Sequence, residues 1–433
     1  MATQESAPKP APVRTPMISV DEARDFLLAA ADAHDDVRAA QELVSTLDAN
    51  GRVLAADQSS QIDVPPMDNT QMDGYAVRAA DCASGAASLP VSQRIPAGHV
   101  GTALVAGTAA RIFTGAMIPA GADAVVMQEA CDTERGLQGD VVTVRHVPAS
   151  GEWIRRAGED IRAGAVILHA GTRLRPQELG LAASVGLASL PVIRRLRVAV
   201  FFTGDELAMP GEPLAPGAIY NSNRFLLRGL LQNLGCDLTD YGVVPDTLQA
   251  TRETLRRAAA EHDLIITSGG VSVGEEDHVR PAVEAEGRLN MWQIAVKPGK
   301  PLAFGEIRRA GGAADTSVEG HAFFLGLPGN PVSSFVTFLL FVRPFMLRLQ
   351  GVQDVLPPTF FLRADFDWVK PDRRNEFLRA RLNDVGGLDL YANQSSGVLT
   401  STVWGDGLID NPAGQPIKAG DLVRFLPFSA LLG

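Results

Sequence analysis

Between residues 197 and 349 the chain alternates continuous apolar runs with segments of helical periodicity, a pattern that few folds accommodate. R-V-A-V-F-F-T, Y-G-V-V-P-D-T and D-L-I-I-T-S-G-G read as strands, and 221–234 and 251–261 read as the helices between them. Strands that are apolar on both faces and separated by helices predict a mostly parallel sheet with helices on both sides. In such a sheet, ligands bind beyond the carboxyl ends of the strands. Asp205, Glu206, Asp246 and Asp277 all fall just past predicted strand ends. The turn Ser268-Gly269-Gly270, continued by Ser272 and Gly274, brings bare backbone N–H groups together as an anion cradle. The acids Glu275, Glu276 and Asp277 behind it suit a hard cation. A solvated acidic helix start is the plainer reading of the same residues. Lys297 and Lys300 flank Pro298-Gly299, and two ammonium groups on one stiff turn suit a polyanion. Asn330, Ser333 and Ser334 open the next helix, whose N-terminus is a further anion site.

The flanking segments read differently. Ser19 and Glu22 have capping-box spacing and predict a helix over 20–33. Short alternating segments with frequent glycine predict a small all-β module over 58–147. It holds the crowded loop P-P-M-D-N-T-Q-M-D-G-Y with Asp73, and it holds Thr114 in a turn after a strand. W-I-R-R-A-G-E-D-I gathers Arg155, Arg156, Glu159 and Asp160, which by itself reads as a surface ion-pair cluster. Pro176 marks the first turn of another helix. From Pro357 onward the pattern returns to β and predicts a small barrel or sandwich of roughly five strands.

Composition narrows the class. A net charge of −11 argues against a nucleic-acid binder, without excluding a local basic pocket. Three dispersed cysteines give neither a disulfide framework nor a zinc spacing, and they fit a reducing cytoplasm. Residues 1–16 lack an apolar core and read as a disordered tail, not a signal peptide. F-V-T-F-L-L-F-V reads as too short to span a membrane, with Arg343-Pro344 as its end. Nucleophile-elbow, Walker and dinucleotide fingerprints are missing, which leaves anion binding with a carboxylate-held cation.

Nine stretches together resemble the MoeA/gephyrin molybdenum-insertion proteins. They are P-P-M-D-N-T-Q-M-D-G-Y-A-V, R-I-F-T-G-A-M-I-P, A-D-A-V-V-M-Q-E, I-R-R-A-G-E-D-I, T-G-D-E-L, I-Y-N-S-N, S-G-G-V-S-V-G-E-E-D, K-P-G-K-P and G-L-P-G-N-P-V-S. The resemblance implies a multidomain α/β-plus-β chain. Residues 17–57 and 148–195 form a helical N-terminal domain, and 58–147 an inserted β domain. Residues 196–350 form a three-layer, MogA-like molybdopterin-binding α/β domain, and 351–433 a C-terminal β-barrel. It implies Mg²⁺-dependent cleavage of adenylylated molybdopterin, release of AMP, and transfer of molybdenum from molybdate to the dithiolene. It also implies a cytoplasmic homodimer with a cleft shared between subunits, supplied by a molybdopterin adenylyltransferase. Carried onto this chain, the catalytic positions are Asp73, Thr114, Asp160, Glu206, Asp246 and Asp277. Glu206, Asp246 and Asp277 hold Mg²⁺ directly or through water. Ser268, Gly269, Gly270, Ser272, Gly274, Asn330 and Ser333 cradle the pterin phosphate, and Lys297, Lys300, Arg379 and Ser396 orient molybdate. Two positions depart from the family pattern: Gln293 follows Trp292 where a basic residue is common, and Asp246 is followed by Thr247 where a second acid is common. A non-catalytic scaffold and an adenylyltransferase are the competing functions; AMP release separates the enzyme from the scaffold, and formation of the adenylate from molybdopterin and ATP marks the adenylyltransferase.

Overall fold

The computed structural model of the chain describes residues 17–136, 139–270, 278–309 and 320–432. The tail 1–16 and the turn residues Ser272, Gly274 and Asp277 lie outside the described residues.

The centre of the molecule is a six-stranded sheet. Its strands are β1 (Arg197–Thr203), β2 (Asp237–Val244), β3 (Leu264–Ser268), β4 (Gly287–Gln293), β5 (Pro301–Arg308) and β6 (His321–Leu327). Their spatial order is β2-β1-β3-β6-β5-β4. The first four run parallel, with Phe202 opposite Ser268 and Ser268 opposite Leu327. At the far edge β5 and β4 are antiparallel, so the sheet is mixed. β5 and β6 pair antiparallel, where a parallel return would need a crossover connection.

Alternation along β1 explains why that strand is apolar throughout. Val198, Val200 and Phe202 pack on one face against the helices Ser222–Asn233 and Pro331–Leu349. Ala199 and Phe201 pack on the other, against Leu248–Glu261 and Val279–Glu286. Both faces are buried, so neither tolerates a polar side chain.

The Pro331–Leu349 helix corrects one expectation. The apolar run does not stop at Arg343-Pro344; a π turn over Phe338–Val342 carries it through. The result is 19 residues long, with a mean hydropathy of 1.6, long and apolar enough by length and composition to cross a membrane. In the fold 89% of its apolar window is buried, which makes it a core helix. Arg343 is accommodated by donating to the carbonyls of Val355 at 2.9 Å and Ala430 at 3.1 Å. Burial pushes its guanidinium down to about 10.

The helix Val20–Asp32 packs on this core and is capped as its sequence requires. Ser19 Oγ accepts from Glu22 N at 3.1 Å, and Glu22 returns the bond to Ser19 N at 2.7 Å. The inserted β domain is a second six-stranded sheet, ordered Ala124–Met127, Gly74–Val77, Ala109–Ile112, Ala87–Ile95, Gly139–Val144, Cys131–Gly136. The C-terminal strands Phe360–Arg363, Asn375–Leu382, Leu388–Leu390, Gly407–Asn411 and Leu422–Pro427 curl into a barrel. A bridge from Ala364 to Leu388 closes the ring. The two-residue strand Val296–Lys297 leaves the α/β domain and adds to the edge at Asn375–Glu376. That one pairing sets the lysine turn against the barrel.

Candidate active site

A cleft of about 790 Å³ opens between the carboxyl edge of the α/β sheet and the barrel. Its floor is made of strand ends and glycine. Ser268 ends β3, accepts from Asn223 Nδ2 at 2.8 Å and donates to the Pro328 carbonyl at 3.0 Å. Gly269 follows with φ +98°, and a Cβ there would lie 3.0 Å from the Thr203 carbonyl. Gly299, between the two lysines, has φ +107°, and its Cβ would meet Thr337 Oγ1 at 2.6 Å. Both positions need glycine for conformation and for space.

Lys297 and Lys300 both line the cleft, and their environments differ. Lys297 Nζ lies 3.1 Å from Glu376 Oε1 and 3.5 Å from Asp372 Oδ2. Glu376 is fully buried and also accepts from Trp368 Nε1 at 2.8 Å and Asp372 N at 3.1 Å. Lys300 is exposed and makes no ion pair with the described residues. Arg374, on the barrel side, holds both oxygens of Asp372 at 2.9 Å. That bidentate bond holds the Asp372 carboxyl well below the usual carboxylate range.

A corner of the same cleft contains unspent hydrogen-bonding capacity. Thr203, Asn221 and Asn223 are 4%, 2% and 9% exposed. Thr203 Oγ1, Asn221 Nδ2 and Asn223 Oδ1 have no partner among the described residues. Buried polar atoms are nearly always paired, and these three side chains all line one wall of the cleft. Asn221 also caps the helix that follows, accepting from Arg224 N at 3.1 Å.

Comparison with known proteins bears directly on this arrangement. Residues 18–186 match the MoeA N-terminal region (domain I and II), 199–348 a probable molybdopterin binding domain, and 362–428 the MoeA C-terminal region (domain IV). The chain is 37% identical to the molybdopterin molybdenumtransferase of Haemophilus influenzae, over 96% of this chain and 100% of that one. The chain belongs to the MoeA family of molybdopterin molybdenumtransferases. A second relative, the molybdopterin molybdenumtransferase of a Nostoc species, is 36% identical over 94% of this chain and 93% of its own. The crystal structure of the molybdopterin biosynthesis moeA protein of Pyrococcus horikoshii OT3 superposes with a TM-score of 0.78. It is 29% identical and covers 95% of this chain and 100% of that one.

In this MoeA chain the cleft gathers Glu206, Ser268, Gly269, Gly270, Lys297, Lys300, Asn330, Ser333 and Ser396. Glu206 folds its carboxylate back over Gly204, where a Cβ would stand 2.6 Å from Oε2. Val332 N donates to the Ser396 carbonyl at 3.0 Å, which ties the helix start to the barrel. Asp246 lies past β2 on the same sheet edge, outside the cleft lining. Glu206 and Asp246 are hard oxygen donors of the kind magnesium takes. Among the described residues no three His, Cys, Asp or Glu side chains are close enough to hold an ion by themselves. Gln293, at the end of β4, pairs with Pro301 and does not line the cleft.

Arg379 is not where an oxyanion ligand has to be. It is fully buried, donating to Ser401 Oγ at 3.1 Å and to the carbonyls of Phe377 and Ser395 at 3.2 and 3.3 Å. Burial lowers its guanidinium to about 10. It braces the 394–396 loop from behind, and the arginine on the cleft wall is Arg374. Sequence reasoning also passed over Asn221 and Asn223, although both sit in the quoted I-Y-N-S-N stretch.

Asp73, Thr114 and Asp160 belong to other parts of the chain and do not line the cleft. Asp73 Oδ1 accepts from Thr114 N at 2.8 Å and Thr114 Oγ1 at 2.7 Å. Those two bonds and, more weakly, the Arg111 charge hold its carboxyl below the usual range. Asp160 is exposed, with its backbone N–H on the Val64 carbonyl at 2.9 Å.

Proposed function

We propose that this chain inserts molybdenum into molybdopterin, acting on adenylylated molybdopterin and molybdate and releasing AMP. The observation that carries the reading is the cleft itself: an exposed lysine, a glycine-floored anion cradle and three unsatisfied polar side chains converge at the carboxyl edge of the sheet. The names of the relatives support it. In this reading the backbone N–H groups of Gly270, Asn330 and Ser333 hold the pterin phosphate, those of Gly269 and Val332 being taken by the Leu327 and Ser396 carbonyls. Lys300, Lys297, Arg374 and Ser396 bind and orient molybdate beside it. Thr203, Asn221 and Asn223 take neutral donor and acceptor groups, since Asn223 Oδ1 requires a donor that an ionised phosphate lacks. Glu206, Asp246 and Asp277 would hold Mg²⁺, which when bound supplies positive charge at the phosphoanhydride. The protein acts in the cytoplasm, next to an adenylyltransferase that makes its substrate.

The test is to incubate the purified protein with adenylylated molybdopterin, Mg²⁺ and molybdate, and to follow AMP and protein-bound molybdenum. One AMP released per molybdenum inserted is expected. Tight binding of the adenylate with no AMP release would replace the enzyme reading with a scaffold.

The site is shared across a homodimer in this reading, with Asp73 and Thr114 of one subunit facing the cleft of the other. Their absence from the cleft wall of their own chain supports that arrangement. Mixing Asp73→Ala and Lys300→Ala proteins, at a molybdate concentration too low for Lys300→Ala to work alone, is expected to restore molybdenum insertion to roughly a quarter of wild type, the share of sites that draw both native residues under random exchange. No recovery after verified subunit exchange would mean that each subunit works alone.

A further inference from the structure

Beside Asp73 the β domain carries a feature that the proposed function does not use. Arg94 and Arg111 are register partners in adjacent strands, and Arg111 is in turn opposite Tyr75. Both guanidinium groups lie on the ring of Phe113, at 4.6 and 4.7 Å from its centroid. Arg111 also covers Tyr75, at 5.1 Å. The row therefore reads Arg94, Phe113, Arg111, Tyr75, and the Thr114 that holds Asp73 directly follows Phe113.

Neither cation makes an ion pair among the described residues, although the Asp73 carboxylate feels the Arg111 charge. Arg94 is exposed and makes no hydrogen bond or ion pair there. Arg111 donates to two neutral oxygens, Gly74 O at 3.1 Å and Gln128 Oε1 at 2.6 Å. In a chain of net charge −11, carboxylates are plentiful, and two neighbouring guanidinium groups that no ion pair neutralises repel each other. Stacking offsets part of that cost and fixes the guanidinium planes, which leaves N–H edges free for a third group. A planar fork of this kind matches a tetrahedral oxyanion, which takes two donors at once.

We propose that Arg94 and Arg111 form an oxyanion-binding pair on the β domain that extends the Asp73–Thr114 face. It takes either the nucleotide phosphate or the tetrahedral metal oxyanion of a substrate held in the partner subunit's cleft. The choice of substrate rests on the insertion reading above; the binding itself does not.

Titration calorimetry of the full-length protein with AMP and, separately, with molybdate tests the pair. Arg94 is exposed, so R94A keeps the wild-type unfolding midpoint. The expected result is that R94A weakens AMP binding roughly tenfold, the loss of one charge-assisted contact. R94K recovers only part of it, since an ammonium lacks the planar fork. Molybdate binding, anchored at the lysine turn, stays within twofold of wild type, a margin of roughly 0.4 kcal/mol. A tenfold loss for molybdate with AMP unchanged assigns the pair to the metal oxyanion instead. If R94A binds both ligands as wild type does, or if wild type binds neither, the proposal is overturned. Failure of the insertion reading looks different: wild-type protein then releases no AMP from adenylylated molybdopterin, whatever residue stands at position 94.

Discussion

Lys300→Ala is expected to weaken molybdate binding by roughly 30-fold, about 2 kcal/mol, with no change in the unfolding midpoint. Lys297→Ala should behave in the opposite way, although the two lysines are three residues apart on the same turn. Lys300 is exposed and unneutralised among the described residues, so its charge is available to an incoming anion. Lys297 is already engaged by Glu376 at 3.1 Å and Asp372 at 3.5 Å, which cancels much of its field in the cleft. Among the described residues, removing it leaves the fully buried Glu376 carboxylate with the Trp368 and Asp372 N–H donors. The expected cost is roughly 1–3 kcal/mol of stability with a binding loss under about tenfold. Calorimetric titration with molybdate and urea unfolding of the two variants separate these effects. Equal binding losses at equal stability would show that the two ammonium groups are equivalent.

The largest stability effect lies on the opposite edge of the same sheet. Asp263 is 3% exposed and is held by three arginines. Arg194 contributes contacts at 2.7 and 2.9 Å, Arg197 one at 3.0 Å and Arg309 one at 3.4 Å. Its carboxylate also accepts from Arg197 N at 2.9 Å, at the first residue of β1. Asp263→Ala leaves three guanidinium groups crowded around an empty place and is expected to cost about 3–5 kcal/mol. Burial alone would raise the Asp263 carboxyl, but the Arg194 and Arg197 hydrogen bonds outweigh it and hold it at about 2. A depressed folded-state value means that the contribution is complete above the unfolded value of 3.8 and is lost as pH falls through about 2. Roughly 2 kcal/mol of wild-type stability should therefore disappear across that window, and the variant should lack this part of the acid transition. Parallel acid titrations of the two proteins, followed by circular dichroism, check it; superimposable curves would remove Asp263 as a stabilising carboxylate.

Much of the architecture could be read from the chain because local physics and burial agree. Val198 to Phe202 are apolar at every position, so only a strand buried on both faces satisfies them. Ser19 and Glu22 specify a helix start by their own bonds. The glycine turn after β3 was legible because a backbone with φ +98° and a carbonyl 3.0 Å from its missing Cβ admits little else. The antiparallel edge was less legible, since the Leu302–Phe304 run of β5 is as apolar as the parallel strands and only the length of its connection to β6 distinguishes it.

The finer assignments were settled by contacts between residues far apart in sequence. Arg374 and Arg379 are five residues apart in one arginine-rich segment. The strand Asn375–Leu382 is buried on both faces over most of its length, so alternation does not say which guanidinium turns to the cleft. Packing against Ser401 and the 394–396 loop decides it, placing Arg379 inside and leaving Arg374 on the wall. Lys297 and Lys300 look equivalent until Glu376, 79 residues away, pairs with the first and not the second. The sequence alone determined that this chain builds an α/β sheet with glycine and lysine at its carboxyl edge, because propensity and apolar periodicity act over a few residues. Which charges stay available at that edge was decided by the fold, because an ion pair depends on distances that only tertiary packing sets.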